Sequence, residues 1–194
     1  MHDLKHLEYG DALLIQEQTH EQVSSGQIPN TLLFVEHSPV FTAGKRTLDF
    51  ERPQDGTAVI DVNRGGKITW HGPGQIVGYP IVRLAKPTEL VAFVRELESA
   101  LIDTCNEFGL QVERIKGRSG VWIKDEINPR KIAAIGVRVA QGVTMHGFAI
   151  NVTKESLLGF RHIIPCGVQA IESVCISDLA GSEITVESAA AVTA

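Results

Sequence analysis

Two strand-like runs, Lys131–Ala140 and Val143–Val152, stand end to end with only Gln141-Gly142 between them. A two-residue link containing glycine joins strands that run in opposite directions, so the pair reads as an antiparallel hairpin. Such a hairpin argues against an all-parallel sheet, whose strands need crossovers of a dozen or more residues. Shorter strand candidates lie at Thr31–Glu36, Phe41–Arg46, Ala58–Val62, Ile76–Val82, Leu110–Ile115 and Gly120–Ile123. Pro80 marks Ile76–Val82 as an edge, bulged or bent strand, because proline has no N–H for a ladder. Helical spacing covers 9–24, with Tyr9, Leu13, Gln16 and His20 along one stripe and Gly26 and Pro29 beyond its end. Pro87-Thr88-Glu89 opens a second helix over about 88–108, whose apolar positions are Leu90, Val91, Val94, Leu97, Leu101, Cys105 and Phe108, with Gly109 after it. Helices and strands are mixed without βαβ alternation, so the fold class is α+β: a mixed central β-sheet with packed helices.

The 194 residues suit one domain, 1–194. Residues 181–194 end in an Ala-rich stretch, Ser188–Ala194, expected to be a frayed, disordered tail. Eighteen Lys and Arg against 23 Asp and Glu leave a net charge of −5, which counts against a nucleic-acid-coating protein. No apolar run approaches ~20 residues, so no membrane partner is expected. Three cysteines, Cys105, Cys166 and Cys175, are too few for a disulfide framework and lack CxxC spacing, so a reducing cytoplasm is expected and no metal.

Glycine is concentrated in Arg64-Gly-Gly-Lys-Ile-Thr-Trp-His-Gly-Pro-Gly-Gln-Ile-Val-Gly78. Backbone without side chains approaches a ligand closely, and the interleaved Arg64, Lys67 and His71 offer polar contacts. The plainer alternative is a tight β-connection. The P-loop pattern fails here, since Gly66-Lys67 is followed by Ile68, and G-x-G-x-x-G fails after Gly72-Pro73-Gly74.

Cys166 lies between Pro165 and Gly167, a setting for an exposed or cleft-lining thiol, whereas Cys105 and Cys175 sit in apolar contexts. A free thiol of pKa ~8.5 is only about 3% thiolate at pH 7, so a nucleophilic Cys166 needs a base or cation beside it. His71, His146, His162, Lys131 and Arg161 are the candidates, and spacing does not choose among them. Lys131 opens an otherwise apolar strand: it is either a solvated strand end or a desolvated amine able to exchange protons near neutrality. Glycine beside His146 implies a bulge or the close approach of a ligand or another backbone.

Together these residues resemble one family. Arg64-Gly-Gly-x-x-Thr69-x-His71-Gly-Pro-Gly-Gln75, Lys131-Ile-Ala-x-Ile-Gly136-Val-Arg138, His146-Gly-x-Ala149-x-Asn151 and Pro165-Cys166-Gly167 are similar, in order and spacing, to the motifs of lipoyl(octanoyl) transferases. Asn63 stands where that family commonly has an acidic residue, and Trp70 where it commonly has tyrosine. The resemblance runs from about Tyr9 to Leu179. It implies a biotin/lipoate protein ligase-like fold and transfer of octanoyl from acyl carrier protein, through a cysteine thioester, to a lysine of a lipoyl domain. The implied nucleophile is Cys166 and the implied activating lysine Lys131. The implied substrate-binding residues are Arg64, Gly65, Gly66, Lys67, Ile68, Thr69, Trp70 and His71, with Ala134, Ile135, Gly136, Gly147, Phe148 and Ala149. The implied partners are octanoyl-acyl carrier protein, lipoyl domains of 2-oxoacid dehydrogenase complexes and the glycine cleavage H protein. No cofactor is implied.

Small side chains at Ala133, Ala134, Gly136, Gly147 and Ala149 are expected to leave an apolar slot, and Gly147 or the Gly72–Gly74 loop to supply oxyanion donors. Lys45, Arg46, Arg64, Lys67, Lys116, Arg118 and Arg130 are candidates for a basic rim facing acidic partners. An ATP-dependent lipoate or biotin ligase and a non-catalytic acyl-protein binding module are the alternatives.

Overall fold

The computed structural model describes residues 2–54, 56–86, 89–124, 128–163 and 172–193. The strands are β1 (His2–Leu7), β2 (Thr31–His37), β3 (Val40–Ala43), β4 (Val59–Asp61), β5 (Thr69–His71), β6 (Gln75–Ile81), β7 (Val112–Ile115), β8 (Arg118–Ile123), β9 (Arg130–Ala140), β10 (Val143–Asn151) and β11 (Glu172–Ser173). The helices are α1 (Tyr9–Ser24), α2 (Leu90–Glu107), α3 (Ile176–Ala180) and α4 (Val186–Thr193). The main sheet has the order β1-β2-β6-β10-β9-β8-β7, with β11 beside β9, and a small sheet has the order β4-β3-β5. β1 on β2, β11 on β9 and β4 on β3 are parallel; the other pairs are antiparallel. The fold is therefore mixed α+β.

The central hairpin turns at Gln141 (φ 52°) and Gly142 (φ 75°), both left-handed as the twist of a two-residue link requires. Side chains alternate across the sheet. Leu33, Val35, Val77 and Ala149 meet α1's Ala12 and Val23 in one core. Phe34, Ile76 and Ile150 meet α2's Leu101 and Cys105 in the other. The second helix begins at Leu90 in the described chain, Pro87 and Thr88 lying outside the described residues, and Val91 is solvent-facing rather than part of its buried stripe. Gly109 (φ 74°) closes that helix, with the Leu110 amide reaching back to the Cys105 carbonyl. Among the described residues no helix is long and apolar enough to cross a membrane.

Two expectations need correction, and one strand was not foreseen. β6 is central, not an edge: it pairs with β2 on one side and β10 on the other. Pro80 is tolerated there because its carbonyl, and hence its missing N–H, points towards β10 where that ladder is broken. The Pro80 carbonyl instead accepts the Thr144 hydroxyl at 2.5 Å. The chain end read as a frayed tail is helical over Val186–Thr193, with Ala189 fully buried against α2's core. Its run of alanines is what lets a short helix sit close. β1 was not anticipated at all: its polar side chains are mostly exposed, and it joins the sheet through backbone pairing with β2.

One irregularity positions the site. Val121 faces Ala133, but the next residue of β8, Trp122, faces Lys131, so β9 carries one extra residue at Ile132. A bulge of this kind re-aims the side chains beyond it. Ile132 and Ala133 both enter the α2 core, and Lys131 is turned onto the opposite face.

Candidate active site

On the α1 face of the sheet, the main and small sheets enclose a cavity of about 280 Å³. Its floor is made of two cross-strand pairs of minimal side chains, Ala134 opposite Ala149 and Gly136 opposite Gly147. Val77, next to Ala149 on β6, continues the apolar surface. Gln75 and Asn151, again paired across β6 and β10, form the polar end together with Lys131. Ala133 does not contribute to this slot, because the bulge leaves it in the opposite core.

The glycine-rich segment forms one wall. Arg64, only 7% exposed, donates to the Thr42 carbonyl (2.8 Å) and hydroxyl (2.9 Å) and to the carbonyls of Gly65 (3.0 Å) and Lys67 (2.8 Å). Its guanidinium thus ties the turn together. The Gly65 amide fastens that turn to β9 through the Val137 carbonyl at 3.1 Å. Of this segment's implied binding residues, Arg64, Gly66, Lys67, Ile68, Thr69 and His71 line the cavity. Gly65 and Trp70 do not: Trp70 packs on Phe41 with ring centroids 4.9 Å apart. From β9 and β10, Ala134, Ile135, Gly136, Gly147, Phe148 and Ala149 line it.

Gly147 is glycine because another backbone comes close. A Cβ there would lie 2.1 Å from the Gly78 carbonyl oxygen. Gly147→Ala is therefore expected to destabilise the fold by about 1–3 kcal/mol, read as a lower denaturant midpoint; an unchanged midpoint would contradict the tight contact. The Gly72–Gly74 loop is not among the described residues that line the cavity, and its Gly74 amide donates to Glu36 at 2.7 Å.

Two histidines line the cavity, and both are held neutral. His71 donates from Nδ1 to Gln75 Oε1 at 2.7 Å; Gln75 Nε2 donates to Asn151 Oδ1 at 2.8 Å, and Asn151 Nδ2 to the Val174 carbonyl at 3.0 Å. Burial, with His37 and Arg64 nearby, lowers the His71 pKa to about 3 against the weaker opposing effect of that hydrogen bond. His146 has left-handed backbone (φ 57°), its amide taken by Gln16 Oε1 at 2.5 Å and its Nε2 bonded to Asn63 Oδ1 at 2.9 Å. Burial, then Arg64 and Arg138, lower its pKa to about 4. Groups so reluctant to take a proton serve as hydrogen-bonding partners rather than as bases for a thiol.

Lys131 is 8% exposed, with its Nζ 4.3 Å from the centre of the Trp122 ring. The aromatic face attracts the ammonium and holds its reach into the cavity. His162 and Arg161 are exposed and line no part of the cavity, leaving Lys131 as the candidate base beside it. Cys166, with Pro165 and Gly167, lies outside the described residues. The other thiols are poor nucleophiles: Cys105 is fully buried, which pushes its pKa up to about 12, and Cys175 is buried ahead of α3. Of the expected basic rim, Arg46, Lys67, Arg118 and the buried Arg64 line the cavity, Lys45 and Lys116 are exposed and do not line it, and Arg130 begins β9.

Sequence reasoning did not assign Tyr9, Tyr79 or Trp122 to the site, although each lines the cavity. Tyr9 and Trp122 fit buried apolar patterns, and only tertiary packing sets them at the cavity. Gln75 and Asn151 carried a signal, since both close family motifs.

The chain matches the model of the lipoyl protein ligase A/B catalytic domain over residues 8–194. It is 53% identical over 186 residues to an octanoyltransferase of Leifsonia xyli subsp. xyli, covering 95% of this chain and 83% of that protein. It is 50% identical over 186 residues to an octanoyltransferase of Mycolicibacterium smegmatis, covering 95% and 81%. In fold it resembles the bi-partite lipoate protein ligase of Thermoplasma acidophilum, with TM-score 0.70, 12% identity and coverage of 99% and 79%. It also resembles P. falciparum LipL1 in complex with lipoate, with TM-score 0.72, 13% identity and coverage of 99% and 59%. The sequence matches extend over the cavity walls as well as the core, and the chain belongs to the lipoyl protein ligase A/B catalytic domain family.

Proposed function

We propose that this protein transfers octanoyl from octanoyl-acyl carrier protein to the ε-amine of a lipoyl-domain lysine, through a thioester on Cys166, with Lys131 exchanging the protons. Relatives at about half identity carry the name octanoyltransferase. The observation that carries the reading is the meeting of three features at one cavity. Its floor is lined by the smallest side chains, its polar end holds Lys131, and Phe160 and Ser173, a few residues before and after the Cys166 segment in sequence, both line it. Ser173 pairs directly with Lys131 in the β11–β9 ladder.

The cavity suits a short acyl chain: burying six methylenes contributes about 5 kcal/mol. Lys131 in its neutral amine form takes the proton of the Cys166 thiol, and the sulfur attacks the thioester carbonyl. The carbon–sulfur bond to phosphopantetheine breaks, and the departing sulfur takes a proton back. The lipoyl-domain amine then attacks the Cys166 thioester, loses a proton and forms the amide as the Cys166 thiolate leaves. Thioester exchange is nearly balanced and amide formation is downhill, so the sequence needs no nucleotide. The acceptors are lipoyl domains of 2-oxoacid dehydrogenase complexes and the glycine cleavage H protein, and the site of action is the cytoplasm.

The test is intact mass after mixing with octanoyl-acyl carrier protein without ATP, followed by peptide mapping. One octanoyl group is expected on Cys166, discharged when an apo lipoyl domain is added. Transfer that appears only with ATP would reassign the protein to the ligases, and no adduct or transfer would make it a binding module.

A further inference from the structure

We infer that the cavity mouth is an anion subsite, formed by Arg46 and Arg118, that takes the phosphodiester of the donor's phosphopantetheine arm. The inference rests on the acyl-transfer reading. The cavity lining carries five basic side chains, Arg46, Arg64, Lys67, Arg118 and Lys131, and among the described residues no Asp or Glu. Three of the five are engaged inside the protein. Arg64 is spent on four carbonyl and hydroxyl acceptors, Lys67 is ion-paired with the buried carboxylate of Glu51, and Lys131 lies over Trp122. Arg46 and Arg118 are exposed and make no ion pair among the described residues. Two exposed cations without an ion-pair partner among the described residues, on the lining of one cavity, favour an anion there.

Arg46 is held at its backbone, and the Arg118 guanidinium lies near the Trp122 ring, while both residues stay exposed. The Arg46 amide bonds the Gly66 carbonyl at 3.1 Å, fixing its base to the glycine-rich wall. Arg118 starts β8, with its guanidinium 5.7 Å from the centre of the Trp122 ring. The β7–β8 hairpin is itself pinned from behind. The fully buried Glu98 of α2 accepts the Gly120 amide at 3.1 Å and pairs with Arg95 and Arg114. Guanidinium groups suit the planar, bidentate recognition of phosphate oxygens. A phosphopantetheine thioester matches this layout, apolar at the acyl end and anionic at the other.

The test is calorimetric binding of two unreactive thioethers, S-octyl-4′-phosphopantetheine and S-octyl-pantetheine, to the whole protein, so that no turnover is needed. Charge-assisted contacts to phosphate predict that the phosphorylated compound binds about ten- to hundred-fold more tightly. In Arg46→Gln/Arg118→Gln that ratio is expected to fall towards one, whatever the affinity of either compound alone, and in the unaltered protein it should shrink as salt is raised. Equal affinities, no binding of either compound, or a preference that survives in the double variant would overturn the subsite. Octanoate binding more tightly than both thioethers would assign the arginines to a carboxylate instead. Failure of the acyl-transfer reading is separate: it would show as no octanoyl on Cys166 in the mass measurement.

Discussion

Alanine in place of Lys131 is expected to slow acyl capture from octanoyl-acyl carrier protein at pH 7 by a factor of about 10²–10⁴, the range that a positioned acid–base group contributes. The deficit should narrow at pH 9, because a thiol of pKa ~8.5 is by then mostly thiolate without help. The geometry makes the substitution clean. Lys131 enters the cavity only because β9 bulges at Ile132, and that bulge is made by the backbone and by the burial of Ile132 and Ala133 in the opposite core. Removing the amine leaves both in place, so the fold should persist. Cys166→Ser is the companion: it should carry no octanoyl group at either pH and abolish transfer, since a serine hydroxyl lacks the acidity on which the relay depends. Rates of adduct formation by rapid quench and mass spectrometry at the two pH values decide it. A Lys131→Ala deficit equal at pH 7 and pH 9 would leave the lysine a substrate-positioning role and remove it from proton exchange.

Much of the architecture was legible because its signals are local. Gln141-Gly142 needs no distant partner to adopt left-handed backbone, so the hairpin could be read directly. Gly109 ends α2 by the same kind of short-range chemistry. The glycine-rich wall was visible as composition, but not the role of Arg64, whose four acceptors are gathered from β3 and from its own turn only in the folded chain. Strand alternation would place Lys131 and Ala133 on one face. The bulge that separates them depends on how β9 meets β8, a tertiary matter. Pro80 misled for the same reason. Its missing N–H is harmless in a central strand only because β10 leaves the ladder around His146, whose amide turns to Gln16 on α1. The tyrosines and Trp122 show the limit of apolar periodicity, which finds buried faces without telling a core from a cavity wall.

Acid is expected to unfold this protein well above the usual carboxylate range. His37, His71 and His146 are all buried neutral, with pKa values lowered from 6.5 to about 4, 3 and 4. Burial is the leading cause for each. His37 lies against the Leu7 carbonyl and the Tyr79 hydroxyl, with His6 disfavouring and Glu8 favouring its charge. His71 faces His37, His146 and Arg64, and His146 faces Arg64 and Arg138. The sign follows from linkage. Below pH 6.5 the unfolded chain takes up protons on these rings and the folded chain does not, so the unfolded state gains as pH falls. The stability they confer is full above pH 6.5 and declines until the folded rings themselves titrate near pH 3–4. Each costs about 1.4 kcal/mol per pH unit within that window. Between pH 7 and pH 5 the three together amount to about 5 kcal/mol, comparable to the whole stability of many domains. Urea midpoints at the two pH values give the measurement, and His37→Gln, which keeps a hydrogen-bonding side chain that cannot titrate there, should remove close to one proton from the slope. Equal midpoints at pH 7 and pH 5 would mean that the rings titrate alike in both states. The same neutrality that makes them weak bases would then be lost, and the assignment of the proton-exchanging role to Lys131 rather than His71 would have to be reopened.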